Sequence, residues 1–198
     1  MSRYASRNWR SFNPDVVVVR TTTPAARPIA APRRVLGLDP GSIRMGFGVI
    51  DCKSAGEAHV ASGCVRVAGA DLAAKLRYIH EQVLAIVTQY EPDEVAIERV
   101  FMHRNADSAL KLGQARGAAL SAAVALGAAV YEYAPRAIKL AVVGTGAADK
   151  AQVSHMVQVL LAIGTPATSD VSDALAIALC HAQNRRVAVR MAILETTR

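Results

Sequence analysis

Cysteine is scarce: Cys52, Cys64 and Cys180 are the three in 198 residues, and none stands in CxxC spacing. That excludes a disulfide scaffold and leaves free or buried thiols of a reducing compartment. The five histidines (His59, His80, His103, His155, His181) are scattered. With no HxxxH pair and no Cys/His cluster, a zinc site is not expected. Long apolar runs are also missing. The longest stretch, 118–134, is broken by Ser121, Gly127 and Glu132. It falls short of the roughly 20 residues a membrane span needs and reads as a helix followed by a strand. Internal repeats are absent, and nothing marks a second domain.

What is present describes one ordinary domain. Hydrophobic residues make up 52% of the chain, much of it alanine, enough for a sizeable core. Net charge is +7 but unevenly placed: residues 1–34 hold seven arginines against the single acid Asp15, a net +6. A basic chain suggests a polyanionic partner, yet here most of the charge belongs to the N-terminal stretch. That stretch is rich in Arg, Thr, Ser and Pro, and only Val16–Val19 could pair as a strand. Residues 1–33 are expected to be a disordered basic extension, with an overlong translation start or a transit peptide as alternatives. The folded domain is expected over 34–187, followed by a tail over 188–198.

From Val35 the pattern sharpens. Val35–Asp39, Arg44–Asp51 and Ala58–Val67 read as three strands with short connections, hence an antiparallel meander. Asp39-Pro40-Gly41-Ser42 is turn chemistry. Leu72, Leu76, Ile79, Val83 and Ile86 recur three or four apart, so Asp71–Tyr90 is an amphipathic helix. Glu94–Glu98 is a short buried strand, Asp107–Leu126 a helix and Ala128–Tyr133 a strand. Three further helices are expected over Pro135–Val142, Asp149–Ile163 and Val171–Arg186, with Pro135 in a first turn and Gly164 as a stop. The order β-β-β-α-β-α-β-α-α-α implies an α/β fold. Its five-stranded mixed sheet would have three antiparallel strands, then two parallel ones, flanked by helices.

Four acids stand where acids are not expected. Asp39 ends the run Val-Leu-Gly-Leu-Asp, and Glu98 ends Val-Ala-Ile-Glu. Both therefore lie at C-terminal ends of buried strands, the functional edge of open α/β sheets. Asp170 and Asp173 open the last helix three residues apart, on one face. Each has an ordinary explanation: Asp39 as a turn residue, Asp170 as an N-cap, Asp173 as an early-turn acid favoured by the helix dipole. Together, on three elements of one sheet edge, they would hold hard divalent cations. Two such ions about 3.5–4 Å apart suit phosphodiester hydrolysis.

The blocks VLGLDPGSIRMGFGVI, PDEVAIERVFMHRNADSALKLGQARGAAL, YAPRAIKLAVVGTGAADKAQV and SDVSDALAIALCHA resemble the RuvC family of crossover junction endodeoxyribonucleases, the bacterial Holliday-junction resolvases. The resemblance runs from Val35 to about Arg186. It implies an RNase H-like fold, a homodimer, and paired, symmetric, Mg²⁺-dependent incision of four-way junctions in recombination and repair. Products would keep 5′-phosphates and 3′-hydroxyls. The family's acidic quartet falls on Asp39, Glu98, Asp170 and Asp173. Two Mg²⁺ per subunit are implied with DNA bound, Mn²⁺ substituting. Partners would be the branch-migration proteins RuvA and RuvB, and the location cytoplasmic. The basic extension is not part of the family pattern, and Arg99 and His103-Arg104 depart from it after Glu98, which leaves the cut-site preference open.

Phe101 follows the metal site closely and could wedge or stack at an opened junction, a role the resemblance supports. Arg104, Lys111 and Arg116 are candidate DNA contacts along the next segment. Lys139 and Lys150 flank the loop 143–149, and the resemblance points to both as phosphate contacts, which position DNA without reading it. A solvated surface charge is the ordinary reading of each. Two other functions share features with this sequence. DPGS after a strand resembles the phosphate loop of actin-like ATPases, but those need two related domains. A purely architectural junction binder would not need all four acids. The loop 144–150 does not fit a nucleotide-binding phosphate loop.

Overall fold

In the computed structural model, residues 31–99, 106–163 and 168–196 are described. The sheet has strands β1 (Arg33–Asp39), β2 (Arg44–Lys53), β3 (Gly56–Arg66), β4 (Glu94–Glu98) and β5 (Ala129–Tyr133), in the order β3-β2-β1-β4-β5. β1–β2 and β2–β3 are antiparallel, whereas β1–β4 and β4–β5 are parallel. This is the expected mixed sheet. The helices are α1 (Leu72–Tyr90), α2 (Ala106–Val124), α3 (Pro135–Val143), α4 (Lys150–Leu161) and α5 (Ser169–Thr196).

The alternation of side chains along the strands divides the core into two layers. Leu36, Leu38, Val95 and Ile97 face α1 and the alanine side of α2, where Ala115, Ala119, Ala122 and Ala123 are buried. Val35 and Ala96 face the other way, onto α3, α4 and α5. Complete burial of a leucine or isoleucine contributes about 1.5–3 kcal/mol, and Leu36, Leu38, Ile50, Ile79 and Ile97 are all fully buried. Helix α5 lies directly across β1. At Gly37 a Cβ would overlap the Ala174 carbonyl oxygen and stand 2.9 Å from the Ala178 nitrogen, so only glycine permits this approach.

Helix ends follow local chemistry. Asp71 and Asp149 are N-caps rather than first helical residues: each accepts from the backbone three residues on, and Asp149 shares a capping box with Gln152. α4 stops at Ala162 in left-handed conformation; the expected stop, Gly164, lies outside the described residues, as does the 16–19 strand. α5 departs most from expectation. It starts at Ser169, so Asp170 sits inside the first turn and does not cap, and it runs ten residues past Arg186. Residues 187–196 contain neither glycine nor proline to stop it, and no break falls near residue 187.

A polar cluster ties α5 to the first residue of β4 and the last residue of β5. His181 Nε2 is 2.8 Å from Glu94 Oε2, and Tyr133 Oη is 2.6 Å from His181 Nδ1. Arg185 Nε reaches Glu94 at 3.3 Å. Burial alone would push the Glu94 carboxyl up, but the His181 hydrogen bond and the charges of His181, Arg185 and Arg33 bring it below its ordinary value. Among the described residues no helix is long and apolar enough to cross a membrane.

Candidate active site

The parallel pairing of β1 with β4 matches Leu38 to Ile97, so Asp39 and Glu98 follow side by side at the same edge. Helix α5 enters over this edge and brings Asp173. Asp39, Glu98 and Asp173 line one cleft of about 360 Å³, together with Lys139 of α3 and Lys150 at the start of α4. Asp170 is the exception to the expected one-faced pair. It stands outside the cleft lining, with Cys64 Sγ at 3.5 Å and Arg44 Nη1 at 3.7 Å from its Oδ2.

The electrostatics are those of crowded carboxylates. Burial, then the negative charges of Asp173 and Glu98, push the Asp39 carboxyl up to about 7, with Asp170 adding to the effect and Lys150 opposing it. Burial and Asp173 likewise raise Glu98, against Lys150 and Lys139. The Lys150 ammonium donates to Asp173 Oδ2 at 2.9 Å, and that hydrogen bond raises its own affinity for a proton. Among the described residues no three acids, histidines or cysteines already converge on one ion position. Asp173 is turned to Lys150 and Asp170 to Arg44. The donor set nevertheless fits a hard cation: the three carboxylates of the cleft offer oxygen ligands only and are partly buried, and Arg99, Lys139 and Lys150 stand among them.

The remaining expected contacts separate. Lys139 and Lys150 are in the cleft. Lys111 is exposed on α2 and paired with Asp107 at 2.7 Å. Arg116 is turned inward: its Nε donates to the Glu98 carbonyl at 3.3 Å, and its Nη2 lies 2.9 Å from Glu132 Oε1. Phe101 and Arg104 lie outside the described residues. Sequence reasoning missed Arg44 and Cys64 beside Asp170. Only an arginine opening the strand after the Asp39 turn hinted at the first, and nothing marked the second, because the β2–β3 register that brings Cys64 opposite Gly46 is not written in any motif.

Residues 35–181 match the sequence profile of crossover junction endodeoxyribonuclease RuvC. The chain belongs to the RuvC family. The RuvC of Methylococcus capsulatus is 53% identical over 158 residues, covering 80% of this chain and 95% of that relative. That of Shewanella oneidensis is 49% identical over 164 residues, covering 83% and 95%. Among solved structures, Thermus thermophilus RuvC in complex with Holliday junction substrate superposes with a TM-score of 0.74 at 34% identity, over 79% of this chain and 97% of that one. The RuvC resemblance of the motifs is thus borne out, and the mixed sheet flanked by helices is the RNase H-like fold of this family. These relatives are endonucleases.

Proposed function

We propose that this chain resolves Holliday junctions by paired, metal-dependent incision, with Asp39, Glu98, Asp170 and Asp173 as its metal-holding carboxylates. The observation that carries the reading is the gathering of Asp39, Glu98 and Asp173 in one cleft, where burial and then the negative charges of Asp173 and Glu98 hold the Asp39 carboxyl at about 7. Asp39, Glu98, Asp170 and Asp173 would hold the metals. Two Mg²⁺ per subunit, or Mn²⁺ in their place, would supply Lewis acidity for attack on the phosphodiester and for the departing 3′-oxygen. Lys139 and Lys150 line the same cleft and would hold the phosphate in line, leaving a 5′-phosphate on one product and a 3′-hydroxyl on the other. Lys150 must exchange Asp173 for DNA or share itself between them.

Paired cuts need two sites related by a two-fold axis, hence a homodimer. Helix α2 supports this: Gly113 and Gly117 face open space and Leu110 is exposed, a smooth surface for a second copy. RuvA and RuvB would deliver the junction, in the cytoplasm. Nuclease function would belong to the fold from residue 34 through α5, and the basic stretch 1–33 would add salt-sensitive, sequence-independent DNA affinity.

Asp39→Asn tests the core of this reading. Cleavage of a synthetic four-way junction in Mg²⁺ should vanish while gel-shift affinity for the junction persists. Retained cleavage removes Asp39 from the mechanism, and loss of binding by a folded variant gives it a different role.

A further inference from the structure

On the reading that Glu98 is a metal carboxylate, we propose that Arg116 is a positioning residue for it. Its guanidinium fixes the last peptide of β4 to β5 from the face of the sheet opposite the acids. Ile97 packs toward α1 and α2, so Glu98, the next residue, points the other way. By the same alternation Tyr133 packs on the α5 side, which leaves Glu132 on the α2 side. There Arg116 meets both strands at once, with Nε on the Glu98 carbonyl at 3.3 Å and Nη2 on Glu132 Oε1 at 2.9 Å. The following amide completes the attachment, since Arg99 N–H donates to the Tyr133 carbonyl at 2.7 Å. Both polar groups of the peptide that leaves Glu98 are thereby held.

Arg116 is unsuited to a phosphate contact in this arrangement. Its side chain keeps 17% exposure, against 57% for Lys111 and 76% for Lys150. It is absent from the cleft lining. Releasing it toward DNA would take the Arg116 hydrogen bond from the Glu98 carbonyl and leave Glu132 with only the longer contact to Arg99 Nε at 4.0 Å. Nε of Arg116 makes one directed hydrogen bond, to the Glu98 carbonyl, while Nη2 meets Glu132 as a buried charge contact without a hydrogen bond; the flexible point charge of a lysine does not reproduce that fixed donor beside a second charged nitrogen. Glu98 projects from the residue whose carbonyl is held, so any slackening of that peptide moves its carboxylate within the cleft.

The test uses the full chain with Arg116→Met, Arg116→Lys, Glu132→Gln and the Arg116→Met/Glu132→Gln pair. Three quantities are measured: junction affinity and its salt slope in EDTA, Mn²⁺ binding to the DNA-free protein by calorimetry, and single-turnover cleavage in Mg²⁺ at saturating junction. Arg116→Met and Arg116→Lys should both keep wild-type affinity and slope. Both should weaken Mn²⁺ binding and cut the rate by about ten- to a hundredfold, the scale of an ångström-level misplacement. Glu132→Gln should act in the same direction but less, and the pair should be no worse than Arg116→Met alone, as for partners in one interaction. The proposal is overturned if Arg116→Met loses affinity and about one unit of salt slope while Arg116→Lys restores both, which is the signature of a phosphate contact. Should Arg116→Met not fold, Glu132→Gln decides: unchanged Mn²⁺ binding and rate overturn the proposal. Glu98→Gln separates the underlying reading. If that variant cleaves normally, the role of Glu98 falls; if it is dead while Arg116→Met cleaves and binds Mn²⁺ normally, only the role of Arg116 falls.

Discussion

At Gly46 the sheet leaves no room for a side chain beneath α5, and a single methyl group there should disable the site without touching a carboxylate. A Cβ on Gly46 of β2 would overlap the carbonyl oxygen of Asp170 and stand 2.7 Å from its carbonyl carbon. Ordinary contact begins near 3.4 Å, so in Gly46→Ala the carbonyl carbon of Asp170 must retreat by ~0.7 Å and its oxygen, which is nearer, by more than ~1 Å to escape repulsion. No flexible side chain can absorb this, because both groups belong to the main chain. The first turn of α5 has to lift, and Asp170 and Asp173 lift with it. Overpacking of this kind costs about 1–3 kcal/mol, and a shift near 1 Å at a reacting centre costs about a hundredfold in rate. The variant should therefore melt several degrees lower yet fold, bind the junction in EDTA, and cleave in Mg²⁺ about two orders of magnitude more slowly. Wild-type cleavage with an unchanged melting temperature would refute the claim that α5 is seated against Gly46 and that its seating sets the acids.

Other expectations concern charge. The folded Asp39 carboxyl holds its proton up to about 7, against an ordinary value of 3.8. Its contribution to stability therefore falls as pH rises through that window, since the folded state binds the extra proton. Melting in EDTA should drop between pH 5 and pH 8 by the margin that Asp39→Asn removes, and Mg²⁺ should restore it at pH 8; a flat wild-type profile in EDTA would contradict the crowding. At the start of β4, Glu94→Gln leaves Arg33, Arg185 and His181 without their shared carboxylate. It should lower stability by about 3 kcal/mol in denaturant unfolding, as broken buried pairs do, and leave cleavage by the folded fraction intact. An effect on cleavage with stability unchanged would place Glu94 in the chemistry. Gly113→Arg should convert a dimer to monomers in sedimentation; an unaltered dimer would move its interface off α2.

Much of this architecture is legible in the sequence because its signals are local. Val-Leu-Gly-Leu-Asp and Val-Ala-Ile-Glu are short apolar runs with polar stops, and their strands end at Asp39 and Glu98 as read. The spacing of Leu72, Ile79 and Val83 gives α1, and a proline marks the start of α3. What could not be read depends on packing between distant segments. Asp170 and Asp173 share a face by spacing, yet one turns to Cys64 and Arg44 and the other to Lys150, because α5 straddles β2 and the cleft. Arg116 looks like any surface arginine in the string KLGQARG. Only the pairing of β4 with β5 brings Glu132 beneath it. The length of α5 was hidden by the absence of a stop signal, which sequence reading does not register as information.

The three acids of the cleft do not share one kind of anchorage. Asp39 and Glu98 sit on adjacent hydrogen-bonded strands, whose separation of about 4.8 Å is a property of the peptide unit itself. Substitutions among neighbouring side chains can scarcely alter that interval. Asp173 rides on a helix that is held to the sheet by side chains alone, through packing and through ties such as His181 to Glu94, so its distance from the other two is open to adjustment by every residue under α5. Drift in the family should therefore leave the spacing of the first pair alone and show itself in the third member. A designer wishing to retune the metal preference of such a site would have one dial, the tilt of α5, and would find it beneath Gly37 and Gly46 rather than among the acids.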